Sequence, residues 1–179
     1  MRLVIINGLP GVGKTTLATQ LAQDLGLPLI GKDMLKEFLF DQVGSTNLED
    51  SRFLGKVSVK MLYALLKEYI ASDKSLMIEN AFYAEFARPE ITALIGDKPV
   101  DIIEVYCETA ETTRHGRISS RIADGSRHTG HHDSMSLLEV SSDTYAPLAI
   151  GELLRYDTTT DDAAVYNALC GKLKTWLVQ

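Results

Sequence analysis

The sequence predicts an α/β fold, a five-stranded parallel sheet flanked by helices, and three observations carry that reading. Short apolar runs alternate with longer segments of helical periodicity, the pattern of repeated βαβ units. The first run, Leu3-Val4-Ile5-Ile6, is continuous rather than alternating, as a strand buried on both faces requires. The size and composition are those of one ordinary domain: 179 residues, 45% hydrophobic and 23% charged. A chain of this length buries roughly 70% of its unfolded surface and needs no disulfide or metal staple. With no repeat and no interdomain linker, residues 1–179 read as a single domain.

Each element has its own signal. After the first strand a helix spans about Lys14 to Leu25, with Leu17, Leu21 and Leu25 on one stripe and Gly26 at its exit. Leu27-Pro28-Leu29-Ile30 reads as strand two. A helix follows from about Asp33, with Met34, Leu35, Phe38 and Leu39 expected to face inward. Past a polar loop at Gly44–Asn47, a long helix covers about Glu49 to Ala71, its core face supplied by Leu54, Met61, Leu62, Leu65, Leu66 and Tyr69. Strand three is Leu76-Met77-Ile78, ending at Glu79-Asn80. The next helix is expected near Pro89 to Ile95, with proline in the first turn and Gly96 after the last. Val100 to Tyr106 forms strand four, and Thr109 is the expected cap of a helix running to about Ala123. The polar stretch from Asp124 to Asp133 is the expected mobile loop. Leu153 to Tyr156 is strand five, and from Asp161 a terminal helix packs Leu169, Leu173, Trp176 and Leu177 inward.

Charge narrows the function. The chain has 18 Lys and Arg against 24 Asp and Glu, a net charge of −6. That argues against a protein whose main task is to coat nucleic acid or anionic membrane, since both need a broad positive surface. No apolar run approaches the roughly 18 residues of a membrane span, and the N-terminus lacks a secretory pattern, so the expected location is cytoplasmic. Cys107 and Cys170 lie far apart and imply no disulfide framework.

The sharpest motif is Gly8-Leu9-Pro10-Gly11-Val12-Gly13-Lys14-Thr15, followed by Thr16, which matches G-x-x-x-x-G-K-[ST]. The glycines allow backbone angles and close approaches that let successive N–H groups converge on phosphate oxygens at a helix N-terminus. Lys14 is placed to reach the β- and γ-phosphates, and the Thr15 hydroxyl to ligate Mg²⁺. A buried strand before the motif and an amphipathic helix after it supply the required context. A nucleoside triphosphate site is expected here, with ATP and Mg²⁺ as the bound pair.

Other strand ends should open onto the same crevice, because ligands of open α/β sheets sit at the carboxyl ends of the strands. Asp33 stands just past strand two and is the candidate base that takes a proton from an acceptor hydroxyl; its bland alternative is a helix cap. Glu79 and Asn80 are candidates for holding the acceptor or metal-bound water. Arg114, Arg117, Arg121 and Arg127 fall within fourteen residues, and the first three share a helix face. Such a cluster in an acidic chain points to an anion; Arg117, Arg121 and Arg127 are assigned to the charge of a transferring phosphoryl group. His128, His131 and His132 crowd the following loop, where Asp133 or a distant cysteine is the candidate fourth ligand of a zinc site. No C-x₂-C pair accompanies them, so His128 and His131 are read instead as residues touching phosphate or acceptor.

Taken together, Gly8–Thr15, Lys32-Asp33, Glu79-Asn80 and Arg127-His128-Thr129-Gly130-His131 resemble the small P-loop kinase-like ATP-binding proteins of AAA type. That group is similar to chloramphenicol phosphotransferase, zeta-type toxin kinases and the kinase domain of polynucleotide kinase. The resemblance implies a P-loop NTPase fold with sheet order 2-3-1-4-5, an Arg-rich lid at about 109–135, and Asp33 as base. The chain departs from many members at Thr129, where they carry proline, and at the additional His132.

The function expected from these residues is transfer of the γ-phosphate of Mg-ATP to a hydroxyl of a small molecule. A guanine switch protein is excluded by the lack of D-x-x-G after strand two or three and of N-K-x-D. The rival enzyme is a kinase of polynucleotide 5′-hydroxyl ends, and the rival class a nucleotide-binding regulatory ATPase without acceptor. Phe38–Phe40, Phe82 and Tyr83 are expected near the acceptor, and Asp157 to Thr160 near the base. No motif bears on oligomeric state.

Overall fold

Four consecutive apolar side chains near the N-terminus define the centre of the molecule. Strand β1 (Arg2–Asn7) buries Leu3, Val4, Ile5 and Ile6 completely, because it has a strand on either side and helices on both faces. The computed structural model describes residues 1–179 apart from 45–46, 126–127, 132–136, 138 and 141–142. Around β1 stand β2 (Leu29–Gly31), β3 (Leu76–Glu79), β4 (Asp101–Glu108) and β5 (Glu152–Asp157), all parallel, in the order β2-β3-β1-β4-β5. This is the order that the family resemblance implies. Among the described residues, six α-helices flank the sheet: α1 (Lys14–Leu25), α2 (Lys32–Val43), α3 (Leu48–Ala71), α4 (Ala84–Ile95), α5 (Glu111–Asp124) and α6 (Ala163–Val178).

Alternation along the central strands divides the core in two. Val4, Ile6, Met77, Ile103 and Val105 pack against Leu17 and Leu21 of α1 and Leu169 and Leu173 of α6. Leu3, Ile5, Leu76 and Ile78 pack on the opposite face against Leu62 and Leu66 of α3 and Ile91 of α4. Register then brings the strand ends together. Gly31 pairs with Glu79, Glu79 with Ile6, Ile6 with Val105, and Val105 with Leu154, a single row across the sheet. Residues just past this row, Lys32-Asp33, Asn80 and Asn7-Gly8, therefore leave the sheet at one edge. Among the described residues, no helix is long and apolar enough to cross a membrane.

Three local expectations are corrected. Helix α4 begins at Ala84, not near Pro89, which lies inside it. Ala84, Ala87 and Ile91 form its buried face, and two alanines are too weak an apolar signal to mark the first turn. In α2, Met34 and Phe38 are 53% and 60% exposed, whereas Lys36 is buried. The Lys36 ammonium donates to Ser51 Oγ of α3 at 2.8 Å, and that bond lets a charged residue occupy the packed side. Thr109 does not cap α5: Ala110 holds that position without a side-chain bond, and the Thr109 hydroxyl pairs with that of Thr159 at 3.2 Å.

Candidate active site

The turn from β1 into α1 has the backbone that the glycine motif requires. Gly8, Gly11 and Gly13 adopt φ of 139°, 88° and 91°, conformations costly for any residue with a Cβ. At Gly8 the constraint is also steric, since a Cβ there would lie 2.4 Å from the Cys107 carbonyl oxygen of β4. Lys14 is buried at the start of α1 and its ammonium donates to the Leu9 carbonyl at 2.8 Å, so the lysine spans its own loop. Thr15 and Thr16 are exposed at the helix start and line the adjoining cleft.

Beneath the loop lies a polar centre that sequence reasoning missed. Asn7 is fully buried; its Oδ1 accepts from the N–H of Gly8 at 2.7 Å and of Phe82 at 3.1 Å. Its Nδ2 donates to Glu104 Oε1 at 2.9 Å and to the Ala146 carbonyl at 3.3 Å. Glu104, fully buried in β4, also accepts from the N–H of Leu148 at 2.9 Å and of Ala149 at 3.1 Å. One amide thus ties the first glycine of the loop to the chain after β3 and to the segment before β5. The available signal is a lone polar residue at the end, or in the middle, of an otherwise apolar strand.

The loop opens onto a cleft of about 2200 Å³ along the carboxyl edge of the sheet. Of the expected site residues, Pro10, Gly11, Gly13, Lys14, Thr15, Thr16, Asp33, Glu79, Asn80, Arg117, Arg121, His128 and His131 all line it. Leu9 and Val12, on the other side of the loop, line a smaller pocket instead. Asp33 sits in the first turn of α2, whose cap is Gly31 with no side-chain bond, so the helix-cap alternative does not apply. Its carboxylate is a third exposed and lies 2.9 Å from the Lys32 ammonium. Glu79 is buried, and a Cβ at Gly31 would come within 3.2 Å of its Oε2, which places that carboxylate against the turn that launches Asp33. Tyr156, Thr158, Thr160 and Asp161 line the cleft on the side expected to meet the base. Phe82 and Tyr83 also line it, whereas Phe38 is exposed and Phe40 stacks edge-on against His128 at 5.6 Å.

The arginines divide between two tasks. Arg117 donates through Nη1 to the Val12 carbonyl at 3.3 Å and Thr158 Oγ1 at 3.0 Å, and through Nη2 to the Thr158 carbonyl at 2.6 Å. It straps the glycine loop to the segment after β5. Arg121 lines the cleft one turn further along α5. Arg114 does not line it; it is buried and donates to the Leu137 carbonyl at 2.9 Å. Arg127 lies outside the described residues, as do His132 and Asp133 of the zinc alternative. Among the described residues, no group of three or more His, Cys, Asp and Glu is placed to hold a metal ion.

The segment around His128 to His131 docks on α2 and α3. His128 Nδ1 accepts from the Gly130 N–H at 3.0 Å, which leaves Nε2 to donate to Asp41 Oδ1 at 3.0 Å. His131 Nε2 meets Glu37 Oε1 at 2.9 Å, and Ser51 Oγ donates to the Gly130 carbonyl at 2.8 Å. Burial shifts several groups near the cleft. The Tyr63 phenol is pushed up to about 12 by burial and then by the charge of Glu90. Burial also pushes the Cys107 thiol up to about 12, so that thiol is a packing group rather than a nucleophile.

Residues 3–138 match the family model described as an AAA domain. The chain belongs to that family. This small P-loop kinase-like AAA protein is 34% identical to a candidate kinase from Chloroflexus aurantiacus, over 97% of each chain and with a TM-score of 0.87. A gluconokinase from Sinorhizobium meliloti superposes with a TM-score of 0.57 at 20% identity, over 98% of this chain and 94% of that one. Kti12 from Chaetomium thermophilum, solved with ADP-AlF3, superposes with a TM-score of 0.61 at 20% identity and 96% coverage of both. These last two likenesses show the fold shared by the AAA protein. No curated protein matches it.

Proposed function

We propose that this protein transfers the γ-phosphate of ATP to a hydroxyl group of a small molecule. One observation carries the reading: a single cleft is lined by Gly13, Lys14 and Thr15 of the glycine loop and by Asp33, Glu79 and Asn80 at the neighbouring strand ends. The glycine loop and Lys14 bind the phosphate chain, and Asp33 orients the acceptor hydroxyl and takes its proton. The acceptor oxygen forms a bond to the γ-phosphorus while the bond from that phosphorus to the β,γ-bridging oxygen breaks. A phosphate ester and ADP result. Arg117 and Arg121 offset the charge of the transferring group, with Arg127 assigned the same task; His128 and His131 complete the acceptor side. The His128–His131 segment, docked on α2 and α3, borders the acceptor side of the cleft.

Mg²⁺ fits the donor set: the Thr15 hydroxyl is exposed to the cleft, and Glu79 offers a second hard oxygen lining the same cleft. Held by Thr15 and Glu79, the ion would neutralise phosphate charge. The test is a panel of hydroxyl compounds incubated with the protein and Mg-ATP, with ADP release and phosphorylated product measured together. Acceptor-dependent release with a matching phosphate ester supports the reading. Release that no acceptor stimulates above basal hydrolysis identifies a nucleotide-binding ATPase instead.

A further inference from the structure

The wall of the cleft opposite the glycine loop is one face of α3. Arg52, Gly55, Lys56, Val59, Lys60 and Tyr63 all line the cleft, the spacing of a single helix stripe. Arg52, Lys56 and Lys60 follow one another at i, i+4 and i+8, where like charges repel unless an anion intervenes. No acid on α3 relieves them apart from Glu49, one turn before Arg52; Lys56 and Lys60 have none within a turn. All three are exposed, and among the described residues none takes part in a hydrogen bond or ion pair. Lys32 and Lys36, by contrast, are engaged with Asp33 and Ser51.

This stripe stands in a cleft whose charge opposes that of the chain. Among the described residues, eight Lys and Arg line the cleft against five Asp and Glu, while the whole chain has 18 basic and 24 acidic residues. A concave site lined by one sign of charge focuses its field on ligands of the other sign. Lys14, Arg117 and Arg121 flank the glycine loop; the α3 cations lie on the other wall and are left over once a triphosphate is seated. They are also mechanically tied to the candidate base: Asp33 is on α2, which packs on α3 and is bonded to Ser51, the neighbour of Arg52. A Cβ added to Gly55, at the centre of the stripe, would meet nothing closer than Lys36 Cε at 4.0 Å, so the wall is open there.

We infer that the acceptor is itself a small anion, a hydroxyl compound bearing a carboxylate or a phosphate ester, held by its charge on Arg52, Lys56 and Lys60 while its hydroxyl reaches Asp33. The inference rests on the phosphotransferase reading and names its substrate class. Three cations on one short stripe suit a compact anion rather than a duplex, which needs many more phosphate contacts.

The test separates binding from turnover. The full-length protein with ADP bound is titrated calorimetrically with sugar acids, hydroxy acids and their phosphate esters, each beside the uncharged alcohol of the same skeleton. Anionic members are expected to bind about tenfold or more tightly than their neutral counterparts, less so at high salt. R52Q/K56Q/K60Q is expected to abolish the preference, K56R/K60R to retain it, and circular dichroism melting reports that each variant is folded. Whether carboxylates or phosphate esters bind more tightly decides the head group. Equal binding of charged and neutral members, or a preference that survives the triple substitution, overturns the inference. Turnover of the same panel with Mg-ATP distinguishes the two readings. Stripe-dependent binding without transfer overturns the phosphotransferase and leaves the anion site. Stripe-independent transfer to neutral alcohols does the reverse. Preferred phosphorylation of a 5′-hydroxyl oligonucleotide, with a steep salt dependence, overturns the small-acceptor assignment.

Discussion

On the glycine-loop side of the cleft, backbone atoms and fully engaged side chains set the geometry; on the α3 side, long cationic side chains reach into open space. Gly8 has no room for a single methyl group, Asn7 beneath it has every polar atom bonded, and Arg117 is tied at three points. Arg52, Lys56 and Lys60 have no such ties among the described residues. A phosphate chain is the same in every nucleoside triphosphate, so a rigid cradle with its entropy already lost is the favourable solution. An acceptor varies, and a wall of flexible side chains on a fixed helix can change its ligand without disturbing the core. One wall is therefore under steric constraint and the other under electrostatic constraint.

The rigid wall is most vulnerable at Lys14. Lys14→Met removes the cation proposed to reach the phosphates and is expected to lower phosphotransfer roughly 10²–10³-fold, read as ADP release with the best acceptor of the panel. Gly8→Ala strikes the steric constraint directly. With φ at 139° and a backbone oxygen 2.4 Å from the new Cβ, the strand-to-loop turn must move, at a cost of roughly 3 kcal/mol, read by urea denaturation. Unchanged stability would show that the loop yields and that the two walls are alike.

Legibility in the sequence follows the same division. The glycine loop is contiguous, so its chemistry is written in eight successive residues, and the continuous apolar run before it places it at a central strand. The convergence of Asp33, Glu79 and Asn80 on one edge follows from parallel topology, whereas the sheet order is legible only through the family resemblance that the motifs carry. The Asn7–Glu104 bond joins residues 97 apart and is visible beforehand only as polar interruptions of apolar strands. Helical periodicity points Met34 and Phe38 inward because it names a stripe without saying which neighbour covers it; the Lys36–Ser51 bond decides otherwise. The α3 cations have periodicity too, yet their facing the cleft depends on how α2 and α3 pack. Contiguous backbone chemistry and the placement of strand ends are readable, and contacts that depend on how helices pack are not.

Asn7 carries the steric wall down into the core. Asn7→Ala leaves Glu104 buried with one donor fewer and frees the N–H groups of Gly8 and Phe82, an expected loss of about 2–3 kcal/mol in denaturant midpoint analysis. Asn7→Asp sets a second carboxylate beside Glu104 and is expected to cost more. The mildest change concerns the α3 wall. The Tyr63 phenol, ordinarily near 10, is held at about 12 by burial and by Glu90. Raised in the folded state, it contributes stability that is present in full below pH 10 and lost as pH rises toward 12. Tyr63→Phe is expected to flatten the fall of the unfolding midpoint across that window.

A decisive assay compares Asp33→Asn with the parent protein, determining nucleotide affinity by calorimetry and acceptor-dependent transfer in the same preparation. An unchanged dissociation constant for ATP with transfer lowered roughly 10²–10⁴-fold is the predicted result. Transfer at the parental rate, with nucleotide still bound, would contradict the assignment of Asp33 as the group that takes the acceptor's proton.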